Sequence, residues 1–326
     1  MRSLITALIG ASVAMGMACA AFAQSYPLKP IKILRPHPAG ASGDIQARGI
    51  SQALSQQYGQ AFIVENRVGG DGIIGAEACA RAPADGYTIC STDSAVITSN
   101  PVVRASLPYD PLKDFAPIIN LGFGNSFLLV HPALPVRSVK ELFDLARSKP
   151  GSLAWATAGS SSAAHFYVEW MRNTLGLSFL PVPYKTNTQA MQAAISGEIQ
   201  VATYQIGLAM PVVESGKLRA LATAGQERSP YAPNVPSYRE SGIDISISPW
   251  WGWFVPSGTP QAIVQRLNAD IVKLFVETGF REKFATALAF EMVGPALKSP
   301  EEFAAFLKSD RDTYARVAKL AGVKPQ

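Results

Sequence analysis

Short unbroken apolar runs alternate along this chain with apolar residues at helical spacing, and the alternation happens twice. Ile31-Lys32-Ile33-Leu34 predicts a strand, and Ala47, Ile50, Leu54 and Tyr58 follow at helical spacing, with Ser42 as the expected N-cap. Phe62-Ile63-Val64 predicts the next strand, residues 72–81 a helix closed by Pro83, and residues 87–91 a third strand. This β-α-β-α-β order is that of a parallel sheet covered by helices. A second series starts near Phe127, with strands predicted over 127–130, 153–157, 179–182, 199–203 and 218–223. Helices lie between them, one opened by the box Ser138-Val139-Lys140-Glu141. Residues 225–242 read as a turn-rich return, residues 250–255 as a strand, and the last helix opens at Ser299-Pro300-Glu301-Glu302. The fold class is therefore α/β with two lobes, the second inserted in the first. Lobe 1 is expected over 24–124 and 246–326, and lobe 2 over 125–245.

Composition narrows the function. The chain has 326 residues, 48% hydrophobic and 16% charged, which is globular and long enough for two domains. Its formal charge of +5 is scattered without a basic run, which argues against nucleic acid as a partner. Arg2, an apolar small-residue stretch and Ala21-Phe22-Ala23 form the expected secretion leader, residues 1–23, with Gln24 as the mature start. Removing Arg2 leaves 5 − 1 = +4. It also removes Cys19, so Cys79 and Cys90 remain, either paired in an oxidising compartment or kept as two small buried thiols.

In open α/β sheets ligands bind where strand carboxyl ends lead into helices. A helix N-terminus offers unpaired amides and partial positive charge there, which suits anions. Pro38, Ala39, Gly40, Ala41 and Ser42 form such a loop almost wholly from backbone. Asp44 beside it either braces the loop or receives a polar ligand group. Ser91, Thr92 and Ser94 end a strand of the first lobe. Ala158, Gly159, Ser160 and Ser161, with His165 just beyond, follow a strand of the second lobe, as do Tyr184, Thr186 and Asn187. Small polar strand ends on both lobes suggest one cleft that grips an anion from two sides.

Catalytic signatures are missing from the pattern. His37, His131 and His165 lack metal-ligand spacing, and neither a nucleophile elbow nor a Walker or dinucleotide loop occurs, so no metal, cofactor or enzymatic activity is expected. The serines at 160–162 beside His165 would be the only hint of a hydrolase.

The stretches "YPLKPIKILRPHPAGASGDIQAR", "VENRVGGDGIIGAEACARAPADGYT", "LPYDPLKDFAPI", "VPYK", "GKLRALA" and "SGTPQAIVQRLNADI" together resemble the Bug family. These are the extracytoplasmic solute receptors of tripartite tricarboxylate transporters. The resemblance implies a two-lobed periplasmic-binding-protein (Venus-flytrap) fold with strand hinges, a monomer that serves membrane transporter subunits. It also implies a small carboxylate ligand held by main-chain amides at 38–42, 91–94, 158–161 and 184–187. The chain departs from the family pattern at Gly40-Ala41, where two glycines are usual, and at Thr186 and Asn187, where glycines are common; Tyr204 and Gln205 stand where relatives vary. Trp250, Trp251 and Trp253, with Tyr184 and Tyr204 opposite, tilt the expected ligand toward an aromatic dicarboxylate such as terephthalate over an aliphatic C4–C6 diacid. A sensor subunit reporting to a signalling partner is the alternative to a transport receptor.

Overall fold

The structure, a computed structural model, describes residues 26–245 and 247–325. The expected leader, with Cys19 and the start at Gln24, lies outside the described residues. The first lobe opens with β1 (Ile31–Arg35), α1 (Ser42–Tyr58), β2 (Phe62–Asn66), α2 (Ile73–Ala80) and β3 (Thr88–Asp93), followed by the short α3 (Asn100–Val103). The long strand β4 (Phe115–Gly124) then leads directly into the second lobe. That lobe holds β5 (Ser126–Val130), α4 (Val139–Ser148), β6 (Ala154–Thr157), α5 (Ala163–Leu175), β7 (Leu180–Pro183), α6 (Asn187–Ile195), β8 (Val201–Gln205), α7 (Ile206–Glu214) and β9 (Arg219–Thr223). The chain returns through β10 (Trp250–Pro256), α8 (Gln261–Val276), α9 (Thr278–Phe284), β11 (Phe290–Glu291) and α10 (Pro300–Leu320).

Among the described residues two sheets form, in the orders β11-β4-β10-β3-β1-β2 and β7-β6-β8-β5-β9. In the first, β1 runs parallel to β2 and β3, while β10 is antiparallel to both β3 and β4. In the second, β6 runs parallel to β7 and β8, and β5 is antiparallel to β8 and β9. The parallel strands β1, β3, β6 and β7 therefore end in the loops singled out by sequence. β4 was not legible as a strand: Pro117, Asn120 and Gly122 interrupt its apolar run, and its neighbours β10 and β11 lie more than a hundred residues downstream.

Each sheet is buried on both faces. One face of the first sheet packs Ile31, Ile33, Ile89 and Trp253 against Ile50 and Leu54 of α1 and Leu267 and Ile271 of α8. The other packs Leu34, Cys90, Trp250 and Phe254 with Phe303 and Leu307 of α10. Burying each such large side chain stabilises the fold by about 1.5–3 kcal/mol. The second half of α10 continues past the hinge, where Tyr314, Val317 and Ala318 enter the core of the second lobe with Phe166 and Trp155. This helix thus packs against both lobes. Ser299 caps it within a full capping box, its hydroxyl accepting from the Glu302 amide.

Cys79 and Cys90 form a disulfide, their Cα atoms 6.0 Å apart. It ties α2 to β3 on the face shared with Leu34 and Phe254.

Candidate functional site

The loop after β1 turns on Gly40, whose φ of 88° lies in the left-handed region open to glycine. Its amide donates to Asp44 Oδ2 at 3.0 Å. Asp44 is 2% exposed, and its carboxylate also accepts from Arg48 Nε at 2.9 Å and Asn66 Nδ2 at 2.9 Å. Asp44 therefore braces the loop. The N-cap of α1 is Ala41, in extended backbone, and not Ser42. The helix begins one residue earlier than the apolar spacing suggests, which moves Ser42 to the first helical position. There its hydroxyl caps nothing: it is fully buried and has no hydrogen-bond partner among the described residues. Among the described residues the first-turn amides of Ser42 and Gly43 likewise donate to no backbone carbonyl.

Two side chains, Arg35 and Trp251, lie against this helix start. Arg35, the last residue of β1, is 1% exposed, and a Cβ on Gly43 would fall 2.7 Å from its Nη2 and against the Trp251 ring. Arg35 Nη1 reaches Ser91 Oγ at 3.4 Å. Trp251 sits beside Asp93 in the β10–β3 register, and packs edge-on to Phe290 at 4.9 Å. Gly124 joins them, since a Cβ there would meet both Trp251 and Gln205 Nε2, the latter at 2.6 Å. Gln205 ends β8 of the other lobe, so this cluster sits where the lobes meet.

Burial alone would raise the pKa of Asp44, but hydrogen bonds from Arg48, Asn66 and the Gly40 amide outweigh it and hold the carboxyl below its ordinary value. Asp93 behaves alike: burial raises it, while His37, with Nε2 at 2.8 Å, and Arg35 pull it down further. A carboxylate depressed in the folded state contributes stability above its unfolded pKa and loses it as pH falls through the folded value. Melting temperature should therefore fall as pH drops below about 4. Asp44→Asn should show a shallower fall than the native chain, measured by thermal melts from pH 7 to 3.

In the second lobe, the loop after β6 carries Ala158, Gly159 and Ser160, and Ser162 caps α5 by accepting from the His165 amide. That cap uses the backbone of His165, so the Ser–His proximity in sequence is a helix cap and not a nucleophile with its base. Ser162 Oγ also donates to the Gly159 carbonyl at 2.7 Å. Burial lowers the pKa of the half-buried His165, with Glu169 and Asp71 acting in the opposite sense. Thr186 caps α6 by accepting from the Gln189 amide, and Asn187 opens that helix. Tyr184 donates to Glu198 at 3.1 Å, and Tyr204 packs with it against the α6–α7 side of the sheet.

The loop after β6 already touches the first lobe, at Asp71 and Ser99. Asp71, with a φ of 54°, receives Arg104 Nη2 at 2.6 Å and Ser160 Oγ at 3.5 Å, and it leaves no room for a Cβ on Gly159. Ser99 Oγ donates to the Ser161 carbonyl at 2.8 Å. Asp71→Ala removes the first of these contacts. It should enlarge the radius of gyration of ligand-free protein in solution scattering and weaken ligand affinity by about three- to tenfold.

Of the residues singled out by sequence, Pro38–Ser42, Asp44, Ser91 and Thr92 gather at one end of the first lobe. Thr92 Oγ1 is buried without a partner among the described residues. Ser94 is buried, with its carbonyl taken by Thr98 Oγ1 at 2.8 Å and its hydroxyl facing Tyr314. The three tryptophans separate. Trp250 and Trp253 are fully buried in opposite cores, Trp250 donating to Asp310 at 2.8 Å, and only Trp251 stands at the lobe junction. Arg35 and Asp71 were not singled out, and Gln205 was noted only as a position where relatives vary. A hollow of about 540 Å³ also opens at the hinge, lined by Asp244, Glu291, Asp310 and Arg316. Its carboxylates outnumber its one guanidinium, the wrong sign for an anion, and none of the loop residues reaches it.

Two α/β lobes joined by strand crossings, with helix-opening loops facing each other between them, define a two-lobed solute-binding protein of the periplasmic type. The chain belongs to the tripartite tricarboxylate transporter family receptors (TctC), which residues 46–317 match. It is 31% identical over 323 residues to BugT of Bordetella pertussis, spanning 98% of each chain. It is similar in structure to Rpa4515 of R. palustris with adipate, at a TM-score of 0.85 and 28% identity over 92% of this chain and 100% of that one. MatC from Rhodopseudomonas palustris with bound malate matches at a TM-score of 0.82 and 27% identity, over 90% of this chain and 99% of that one.

Proposed function

We propose that this receptor, exported behind a leader cleaved after Ala23, captures a small dicarboxylate in the interlobe cleft and presents it to the membrane subunits of its transporter. It works as a monomer and without chemistry on the ligand. The carrying observation is the start of α1: amides of Ser42 and Gly43 that meet no backbone carbonyl among the described residues, with the buried, unpartnered hydroxyl of Ser42 beside them. Donors left unsatisfied in a buried site are costly, and a carboxylate satisfies several at once. The loop at 158–161, with Tyr184, Thr186, Asn187 and Tyr204, holds the far end of the ligand. Aliphatic C4–C6 diacids such as adipate and malate are the favoured class. Similar structures hold those two, and with Trp250 and Trp253 buried, Trp251 alone of the three tryptophans stands at the lobe junction to favour an aromatic ligand. The half-buried Trp251 supports a second reading, in which one ring of an aromatic diacid stacks on a single indole, a gain of about 0.5–1.5 kcal/mol.

A thermal-shift screen over adipate, malate, succinate, terephthalate, monocarboxylates and amino acids tests this, because bound ligand raises stability by mass action. A dicarboxylate should give the largest rise. A response to amino acids or sugars alone would remove the proposal.

A further inference from the structure

Arg35 is the least satisfied buried charge in the first lobe. Its guanidinium has five N–H donors, yet among the described residues it makes one long hydrogen bond, to Ser91 Oγ at 3.4 Å. Its Nε has no hydrogen-bond partner and lies 3.9 Å from Asp44 Oδ1. The two nearby carboxylates are already committed. Asp44 takes Arg48, Asn66 and the Gly40 amide, and Asp93 takes the Ala95 amide at 3.2 Å with His37 at 2.8 Å. Arg48, close to the same carboxylate, adds positive charge and no relief. The guanidinium is 1% exposed, so water does not screen it, and it sits directly behind the glycine wall of the first turn of α1.

We propose that Arg35 is the charge-selecting residue of the cleft, a fixed cation behind the α1 amides that makes the first-lobe subsite accept a carboxylate and reject its neutral carboxamide. The inference rests on the cleft being the ligand site. Amides and hydroxyls alone distinguish the two groups weakly, because both present acceptor oxygens. A buried guanidinium whose neighbouring carboxylates are hydrogen-bonded elsewhere adds an attraction that the anion feels and the neutral carboxamide does not, and at Gly43 only backbone separates the helix start from it. The same cation explains why Gly43 carries no side chain and why Trp251 closes over it: together they keep the charge dry and therefore strong.

The test measures affinity for the tightest binder among adipate, malate, succinate and terephthalate, and for its diamide, in the native chain, Arg35→Lys and Arg35→Met. The native chain should prefer diacid over diamide by about 100-fold or more, Arg35→Lys should retain most of that ratio, and Arg35→Met should reduce it to about tenfold or less. An unchanged ratio in folded Arg35→Met, with weaker binding of both ligands alike, would show that Arg35 only props the helix, and would overturn the inference while the receptor reading stands. No binding of any diacid by the native chain would instead remove the receptor reading, and this inference with it. Should Arg35→Met fail to fold, the Arg35 Nε–H resonance of the native protein decides. It should shift on saturation with the diacid and stay in place with the diamide; no shift with the diacid overturns the inference.

Discussion

Gly40→Pro is expected to abolish ligand binding, a loss of at least about 100-fold in affinity, in a protein that still folds. Gly40 holds a φ of 88°, and proline is fixed near −65°, so the loop must take another path. Proline also deletes the amide that donates to Asp44, one of the bonds that hold the loop over the start of α1. Gly40→Ala separates the two effects. A Cβ there meets nothing within 4 Å, so alanine keeps the amide and costs about 1–2 kcal/mol for left-handed backbone. Its binding should fall far less than that of the proline variant. Ser42→Ala should leave stability nearly unchanged, because the hydroxyl caps nothing and is buried without a partner. It should still weaken binding, by about tenfold if that hydroxyl meets the ligand. Calorimetry with the best acid from the screen, beside thermal melts of each variant, gives both quantities.

The double variant Cys79→Ser, Cys90→Ser should lose about 3 kcal/mol of stability and about 6–12 °C of melting temperature. The disulfide closes a loop across a sequence separation of 11, and a loop of that size limits the unfolded chain by about this amount. Both positions are 2–3% exposed among apolar neighbours, so two serine hydroxyls there add an unfavourable term. Reductant should lower the melting temperature of the native chain and leave the double variant unmoved. Ligand affinity should change little, since the bridge joins α2 to β3 on the face away from Arg35 and Trp251.

Much of the fold was legible because both sheets consist mainly of short apolar strands separated by helices with ordinary caps, as at Ser138, Thr186 and Ser299. The helix start at Ala41 was misread by one residue, because a serine before an apolar rhythm signals a cap whether or not the backbone uses it. The tryptophan cluster shows a different limit. Period-two alternation puts Trp250 and Trp251 on opposite faces of any strand, but carries no sign that α10 and α8 cover both faces and bury Trp250 and Trp253 alike. Arg35 carried no local signal at all. A charged residue at a strand end usually reaches water, and its burial depends on α1 and on a tryptophan more than two hundred residues away. Asp71 was hidden for the same reason, since its partners Arg104 and Ser160 come from separate segments, and Ser160 belongs to the other lobe.

Hydrogen exchange of the native chain with and without the best dicarboxylate reads both sides of the cleft at once. Ligand should slow exchange at residues 38–45 of the first lobe and at residues 157–165 of the second, and leave the hinge segment at 306–320 unchanged. Protection confined to one lobe, or centred on the hinge hollow lined by Asp310 and Arg316, would contradict a receptor that closes two anion-binding loops on one small diacid.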